Sequence, residues 1–355
     1  MNSPRVLHVD SGREWRGGQR QVFLLAAGMK ARGLDTAIVA PAGSPLMDKA
    51  RTREIATFAL PLRGDLDVSS ALALRRLAQH WKPDVIHAHD AHAHGVALVS
   101  LVWRKGPPLV VTRRVTFPPR NARWKYGRRV TRFIAISEAV RQTLLAAGIP
   151  AECISVVHSG VQMPPKLRPR DWRALRGWPR AAVICGVVGA MTAEKGISDL
   201  DAIAGHLPDD IFRTTRVVLI GGTTAGSTTV GGVEAYRAGF LPEVEEAIAG
   251  LDVLWHPSRS EGLGTVVIDA MALGVPPIAF AVGGLPELIQ DGVSGRLVRA
   301  NDTSAFARAA GDLIRNATLR KRLSEGAARR AREFTDDLMT ERTLEVYEMV
   351  MRGSG

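Results

Sequence analysis

The chain alternates short, almost wholly apolar runs with longer stretches whose apolar residues fall three and four apart, and that rhythm limits the fold more than any other feature. Val6–Val9, 36–39, Val85–Ala88, 109–112, 133–136 and 155–157 are such runs. Strands this short and this apolar are buried on both faces, as in a parallel sheet. A glycine-containing turn, residues 12–18, follows the first run, and residues 21–32 then place Val22, Leu25, Ala26 and Met29 at helical spacing and stop at Gly33. Ser137 is placed to cap a helix running to Gly148.

Residues 161–180 break the rhythm with four prolines and no strand-like run, so a linker is expected there. A second series follows, with strands at Val183–Val188, 217–220, Val253–His256 and 277–281. Helices are expected at about 264–273, at 286–289 and through the tail 303–351, and the Thr-rich residues 221–232 read as a mobile loop. The expected fold is α/β: two doubly wound, Rossmann-like parallel-sheet domains, at 1–160 and 181–334. A length of 355 residues suits two domains. Such domains bind ligands at the carboxyl ends of their strands, and facing each other they would enclose a cleft.

Two cysteines, Cys153 and Cys185, exclude a disulfide framework and a four-cysteine zinc site, and favour a reducing, cytoplasmic setting. The longest uncharged apolar stretch, 181–191, is about half of the ~20 residues a spanning helix needs, and the N-terminus does not read as a signal peptide. Charge is lopsided. Residues 1–160 hold 24 Lys/Arg against 11 Asp/Glu, whereas 161–355 hold 23 against 24. The excess is densest between Asp90 and Glu138, at Arg104, Lys105, Arg113, Arg114, Arg120, Arg123, Lys125, Arg128, Arg129 and Arg132, with Trp103, Phe117, Trp124, Tyr126 and Phe133 interleaved. A solvated basic face, an anionic membrane or phosphorylated lipid acceptor, and nucleic acid all fit such a stretch. Nucleic acid ranks last, because no recognition motif accompanies the charge.

The segment 257–276 (PSRSEGLGTVVIDAMALGVP) carries the sharpest chemistry. A buried strand ends at His256, a Ser/Gly turn follows, and a helix begins near Gly264. Free N–H groups and the helix dipole there suit a diphosphate, Glu261 can bond polyol hydroxyls, and Asp269 lies about two turns further on. His87, His89, His92 and His94 cluster with Asp90, but no second cluster completes a metal cage, so no metal is assigned. One or two of these histidines are expected to line the acceptor side of the cleft. A Walker loop, a Gly-x-Gly-x-x-Gly fingerprint and a Ser/His/Asp constellation are missing from the sequence.

This segment closely resembles the Pro-Ser-x-x-Glu-Gly-Phe-Gly signature of glycosyltransferase family 4, retaining enzymes of the GT-B fold, in which a second Glu stands eight residues after the first. Leu263 replaces the usual Phe and Asp269 the second Glu. The resemblance implies that Glu261 lies against the donor sugar, that the backbone at Leu263, Gly264 and Thr265 binds sugar and phosphate, and that Asp269 holds the ribose. Residues 282–298 and 135–161 resemble the family's next block and its domain-closing segment. Residues 16–22, with Gly17 and Gly18, resemble its first glycine loop. The final helix, 335–355, resembles the helix that packs back on the first domain.

Lys195, in 189–196, matches the family's phosphate lysine, a point charge for the leaving diphosphate. The arginine usual after the glycine is Ala190 here, with Arg16, Arg20 and Arg259 as candidate replacements. A histidine often found after the strand 109–112 is replaced by Arg113 and Arg114, so no catalytic histidine is assigned. Arg16, Arg113, Arg114 and His89 are candidates for acceptor or phosphate binding.

The resemblance implies transfer of a sugar from a nucleoside-diphosphate donor to a hydroxyl of a glycan or glycolipid, such as a lipopolysaccharide or other envelope intermediate. Neither metal nor other cofactor is expected, because Lys195 and the helix N-terminus can do a cation's work. The expected site of action is the cytoplasm, including the inner membrane surface. A GT-B nucleotide-sugar epimerase and a weakened nucleotide-sugar-binding module are the alternatives.

Overall fold

A computed structural model describes residues 4–102, 106–118, 125–127, 129–163, 167–242 and 244–353. Arg104, Lys105, Arg120, Arg123, Arg128, Trp103 and Trp124, seven of the fifteen residues of the basic and aromatic cluster, lie outside these. The chain forms two compact units, one up to Gln162 and again from Thr335 onward, the other Met163–Phe334.

In the first unit the strands are β1 (Val6–Val9), β2 (Thr36–Ala40), β3 (Ala56–Ala59), β4 (Val85–Ala88), β5 (Leu109–Arg113), β6 (Arg132–Ala135) and β7 (Ile154–Val156). They form one sheet in the order β3-β2-β1-β4-β5-β6-β7, parallel throughout. Every residue of β1, β2 and β4 is buried, which accounts for runs without polar alternation. The helix Gly17–Ala31 buries Val22, Leu25, Ala26 and Met29. Ser137 caps the helix Glu138–Ala146 by accepting from the Val140 amide at 3.1 Å. The last helix, Asp336–Arg352, packs on this unit: Met339, Val346, Tyr347 and Val350 join the cluster that holds Val6, Leu25 and Met29. The Tyr347 hydroxyl bonds His87 Nδ1 at 2.6 Å, and Gly28 lies so close to Thr340 that a Cβ there would sit 2.4 Å from its hydroxyl.

The second unit contains β8 (Val183–Val188), β9 (Thr215–Ile220), β10 (Ala225–Val230), β11 (Val233–Gly239), β12 (Val253–His256), β13 (Pro277–Phe280) and β14 (Arg296–Val298). Their order is β10-β11-β9-β8-β12-β13-β14, and only the β10–β11 pair is antiparallel.

Two expectations need correction here. The Thr-rich stretch is not a mobile loop: Ala225–Val230 forms the edge strand of a hairpin that turns at Gly231–Gly232, both at positive φ (53° and 85°). Nor is all of 161–180 a linker. Trp172–Arg176 is a helix of the second unit, capped by Asp171, and the buried Trp172 donates its Nε1–H to the Ala247 carbonyl at 2.9 Å. Trp178 likewise donates to Glu234 at 2.7 Å, so tryptophan burial outweighs the local proline content.

Candidate active site

Strand order reverses direction between β8 and β12 in the second unit, the topological position where open α/β sheets bind ligands. The loops leaving the carboxyl ends of those two strands carry Lys195 and Glu261. Three backbone features hold the loops together. The Arg259 amide donates to the Glu194 carbonyl at 2.9 Å. Gly196, at φ 74°, approaches so closely that a Cβ would stand 1.9 Å from the Pro257 oxygen. Gly283, at φ 53°, does the same on the other side, 1.7 Å from the Glu261 oxygen. Only glycine combines that conformation with that approach.

Between these loops Glu261 is nearly buried and its Oε1 accepts from Lys195 Nζ at 2.5 Å and from His256 Nε2 at 2.9 Å. Burial by itself raises the carboxyl, but the His256 imidazole and the Lys195 ammonium outweigh it and hold the group down at about 2. Glu261 is therefore a fixed anion at neutral pH. Both of these contacts fall on Oε1. Lys195 keeps a third of its side chain exposed and can reach an incoming anion.

Gly264, at φ 93°, opens the helix Thr265–Ala272, which has no side-chain cap and no acid in its first turn. Its first amides thus have no side chain of the helix's own first turn to cap them. Leu263 and Asp269 are buried, Leu263 in the loop and Asp269 within the helix. Arg259 is not a free replacement for the missing phosphate arginine. Its guanidinium grips Asp199 through two bonds of 2.8 and 2.5 Å.

In the first unit the corresponding reversal lies between β1 and β4. Gly17 and Gly18 form the first turn of the helix Gly17–Ala31, with Arg16 at its N-cap and paired to Glu14 at 2.6 Å. The Arg114 side chain passes near Gly18 and reaches Ser159 Oγ at 3.5 Å. Burial lowers Arg114 to about 10 against the pull of Asp10 and Asp90, so it stays charged. Asp10, missed in the sequence reading, is buried at the end of β1, and burial together with Asp90 raises it to about 6. Arg113 is committed elsewhere: it donates to the Tyr126 hydroxyl at 2.7 Å and to the Phe117 carbonyl.

The histidine cluster has a different membership from the one the spacing suggested. His8, His87 and His89 meet, with His8 Nδ1 and His89 Nε2 2.9 Å apart, and burial holds all three well below the usual imidazole range. His89 is thus a buried neutral group. His92 instead pairs with Asp65, and His94 packs edge-on against Tyr126. No helix among the described residues is long and apolar enough to cross a membrane.

Comparison with known proteins bears on the family and the fold. Residues 15–163 match the model of Glycosyltransferase Family 4, and residues 182–316 that of Glycosyl transferases group 1. The phosphatidyl-myo-inositol mannosyltransferase of Mycobacterium leprae is 26% identical over 358 residues, 94% of this chain and 93% of that protein. The D-inositol 3-phosphate glycosyltransferase of Streptomyces bingchenggensis is 34% identical over 229 residues, 58% of this chain. The chain spans about half the length of this and similar Streptomyces relatives (50% and 49%). Among solved structures, a glycosyltransferase from Rickettsia africae superposes with a TM-score of 0.83 at 18% identity, over 99% of this chain and all (100%) of that one. Anabaena HepE, in complex with UDP and glucose, does so with 0.82 at 17%, over 98% and 100%. At such identity the likeness is one of fold. The two family models, the mannosyltransferase relative and the paired α/β units lead to one conclusion: the chain is a member of glycosyltransferase family 4 with the GT-B fold.

Proposed function

We propose that this glycosyltransferase moves a sugar, with retention of configuration, from a nucleoside-diphosphate donor to a hydroxyl of a glycan or glycolipid. The observation that carries the reading is the Lys195–Glu261–His256 arrangement beside an uncapped helix N-terminus at the sheet's reversal point. The helix amides and Lys195 take the diphosphate, Glu261 takes a donor-sugar hydroxyl, and Asp269 takes the ribose. As the glycosidic bond breaks, negative charge grows on the leaving phosphate, where a fixed ammonium and oriented N–H groups stabilise it most. The leaving phosphate oxygen then accepts the acceptor's proton on the attacked face, which gives retention without a carboxylate nucleophile. These groups supply the positive charge, so the reaction needs no metal and no other cofactor.

Similarity to enzymes named for inositol phosphate and phosphatidylinositol supports an acceptor that combines a polyol with a phosphate, and HepE bound to UDP-glucose supports a nucleotide-sugar donor. Gly17, Gly18, Arg16 and Arg114 are the first unit's candidates for phosphate contact, and a lipid acceptor would place the enzyme on the cytoplasmic face of a membrane. The test is transfer from a panel of nucleotide sugars to inositol-phosphate and glycolipid acceptors, with the product anomer read by NMR. An inverted product would overturn the mechanism. Equal turnover by wild type and Glu261→Ala would overturn the site.

A further inference from the structure

The first unit carries an exposed apolar patch that neither its core nor the proposed transfer site uses. Leu66, Val68 and Leu72 are 69%, 53% and 41% exposed, and Val102 is 37% exposed. Large aliphatic side chains this exposed are unremarkable singly but significant when contiguous. Here the fold draws them together. Val68 and Leu72 open the helix Val68–Trp81 one turn apart, and with Arg75 they line a shallow groove against Val99 of the helix Ala91–Ser100. Val102 continues the line of Val99 just beyond that helix. Leu66 is exposed two residues before Val68, next to Asp65, which pairs with the buried Lys125 and packs against Gly95, where a Cβ would meet its backbone at 2.6 Å.

Cations frame the patch. Arg75 lines the groove, Arg76 is exposed on the next position of the same helix, and Arg63 is exposed just before Leu66. Arg129 is tied to its far end, donating to the carbonyls of Leu101 and Val102 at 2.8 and 3.1 Å. The nearby acids are engaged: Asp65 with Lys125 and His92, and Asp67 in capping the Val68–Trp81 helix through the Ser70 amide. An aliphatic surface ringed by arginines, in the half of the chain that holds the whole positive excess, complements an anionic lipid surface: the arginines meet headgroups while the aliphatic tips enter the acyl boundary.

We infer that the first unit docks on anionic membranes through Leu66, Val68, Leu72, Val99 and Val102, with Arg63, Arg75 and Arg129 against the headgroups. The inference rests on the membrane-surface reading of the acceptor but names the surface, and its test needs no turnover. Full-length chain is sedimented with vesicles of equimolar phosphatidylglycerol and phosphatidylcholine, and with vesicles of phosphatidylcholine alone. The expected result is binding to the first and little to the second. Substituting Leu66→Ser, Val68→Ser and Leu72→Ser together weakens binding on the order of a hundredfold. Arg63→Gln and Arg75→Gln each weaken it about fivefold, an effect that added salt erases. All three positions of the triple variant are exposed, so its thermal unfolding should match wild type, which separates lost docking from lost folding. Equal binding to both vesicles, none to either, or an unchanged triple variant overturns the inference. So does a patch that holds two copies together in solution, or a chain that binds RNA and ignores both vesicles. If vesicle binding stands while transfer fails, the docking surface survives and the proposed reaction does not; the opposite pattern leaves the reaction standing.

Discussion

Replacing Glu261 with Gln keeps the shape of the side chain and removes its charge, which isolates what the Lys195–Glu261–His256 cluster contributes to the second unit. The carboxyl lies at about 2 in the folded chain against an ordinary 4.5, a difference worth about 3 kcal/mol in favour of the folded state at neutral pH. A folded value below the unfolded one means the contribution is complete above about 4.5 and is lost as pH falls toward 2. The wild-type chain should therefore exceed Glu261→Gln in unfolding free energy by about 3 kcal/mol at neutral pH. From there to about pH 3.5 the gap should narrow by about 1 kcal/mol. The assay is urea unfolding across that range. Two units can unfold separately. The relevant transition is the one displaced by Leu313→Ala, a core truncation in the second unit expected to cost about 2–5 kcal/mol. A gap that is small at neutral pH, or that does not change with pH, would refute the claim that Glu261 is a clamped anion.

Other outcomes follow from the same geometry. Lys195→Met should lower donor turnover by about a hundredfold or more, because the ammonium acts where charge develops, and kinetics with saturating donor would show it. Gly283→Ala forces a Cβ onto the Glu261 carbonyl from a positive-φ position, so it should displace the Glu261 loop and abolish nucleotide-induced thermal stabilisation. Tyr347→Phe strands the buried His87 Nδ1 and should destabilise the first unit by about 1–3 kcal/mol, read by urea unfolding. Trp172→Ala should cost the second unit about 3–5 kcal/mol if residues 170–178 belong to its fold, and nearly nothing if they are a tether.

Period and punctuation made much of the architecture legible. The buried parallel strands have little polar alternation to hide them: β8 is an unbroken apolar run, and β1, β4 and β12 are apolar but for one histidine each. Edge elements were harder. β3 is a partly exposed Ala-Thr-Phe-Ala, without the strength of a core run, and β10 is polar because only its last residue, Val230, is buried. The Gly231–Gly232 pair behind a β-branched Thr-Thr-Val was the available hairpin signal. At the site, Glu261 and Lys195 are near in space because glycines let two loops approach, and Glu261 and Lys195 could be picked out by motif resemblance. His256 could not: it reads as the last residue of a buried strand, and only the fold turns its imidazole onto Glu261. Asp10 and His8 were hidden in the same way: His8 lies inside the apolar run of β1 and Asp10 directly after it, and the fold buries both, with His89 brought against His8 from the end of β4.

The central claim is that the second unit holds a nucleoside diphosphate between Lys195 and the N-terminus of the Thr265–Ala272 helix. Thermal unfolding with UDP, GDP, ADP and CMP, on wild type and Lys195→Met, tests it directly. A ligand at a hundred times its dissociation constant adds about 2.7 kcal/mol, enough to raise the midpoint by several degrees. The account expects one of the diphosphates to stabilise the wild-type chain, CMP to do less, and Lys195→Met to lose most of the shift. No response from wild type, or an equal response from the variant, would contradict it.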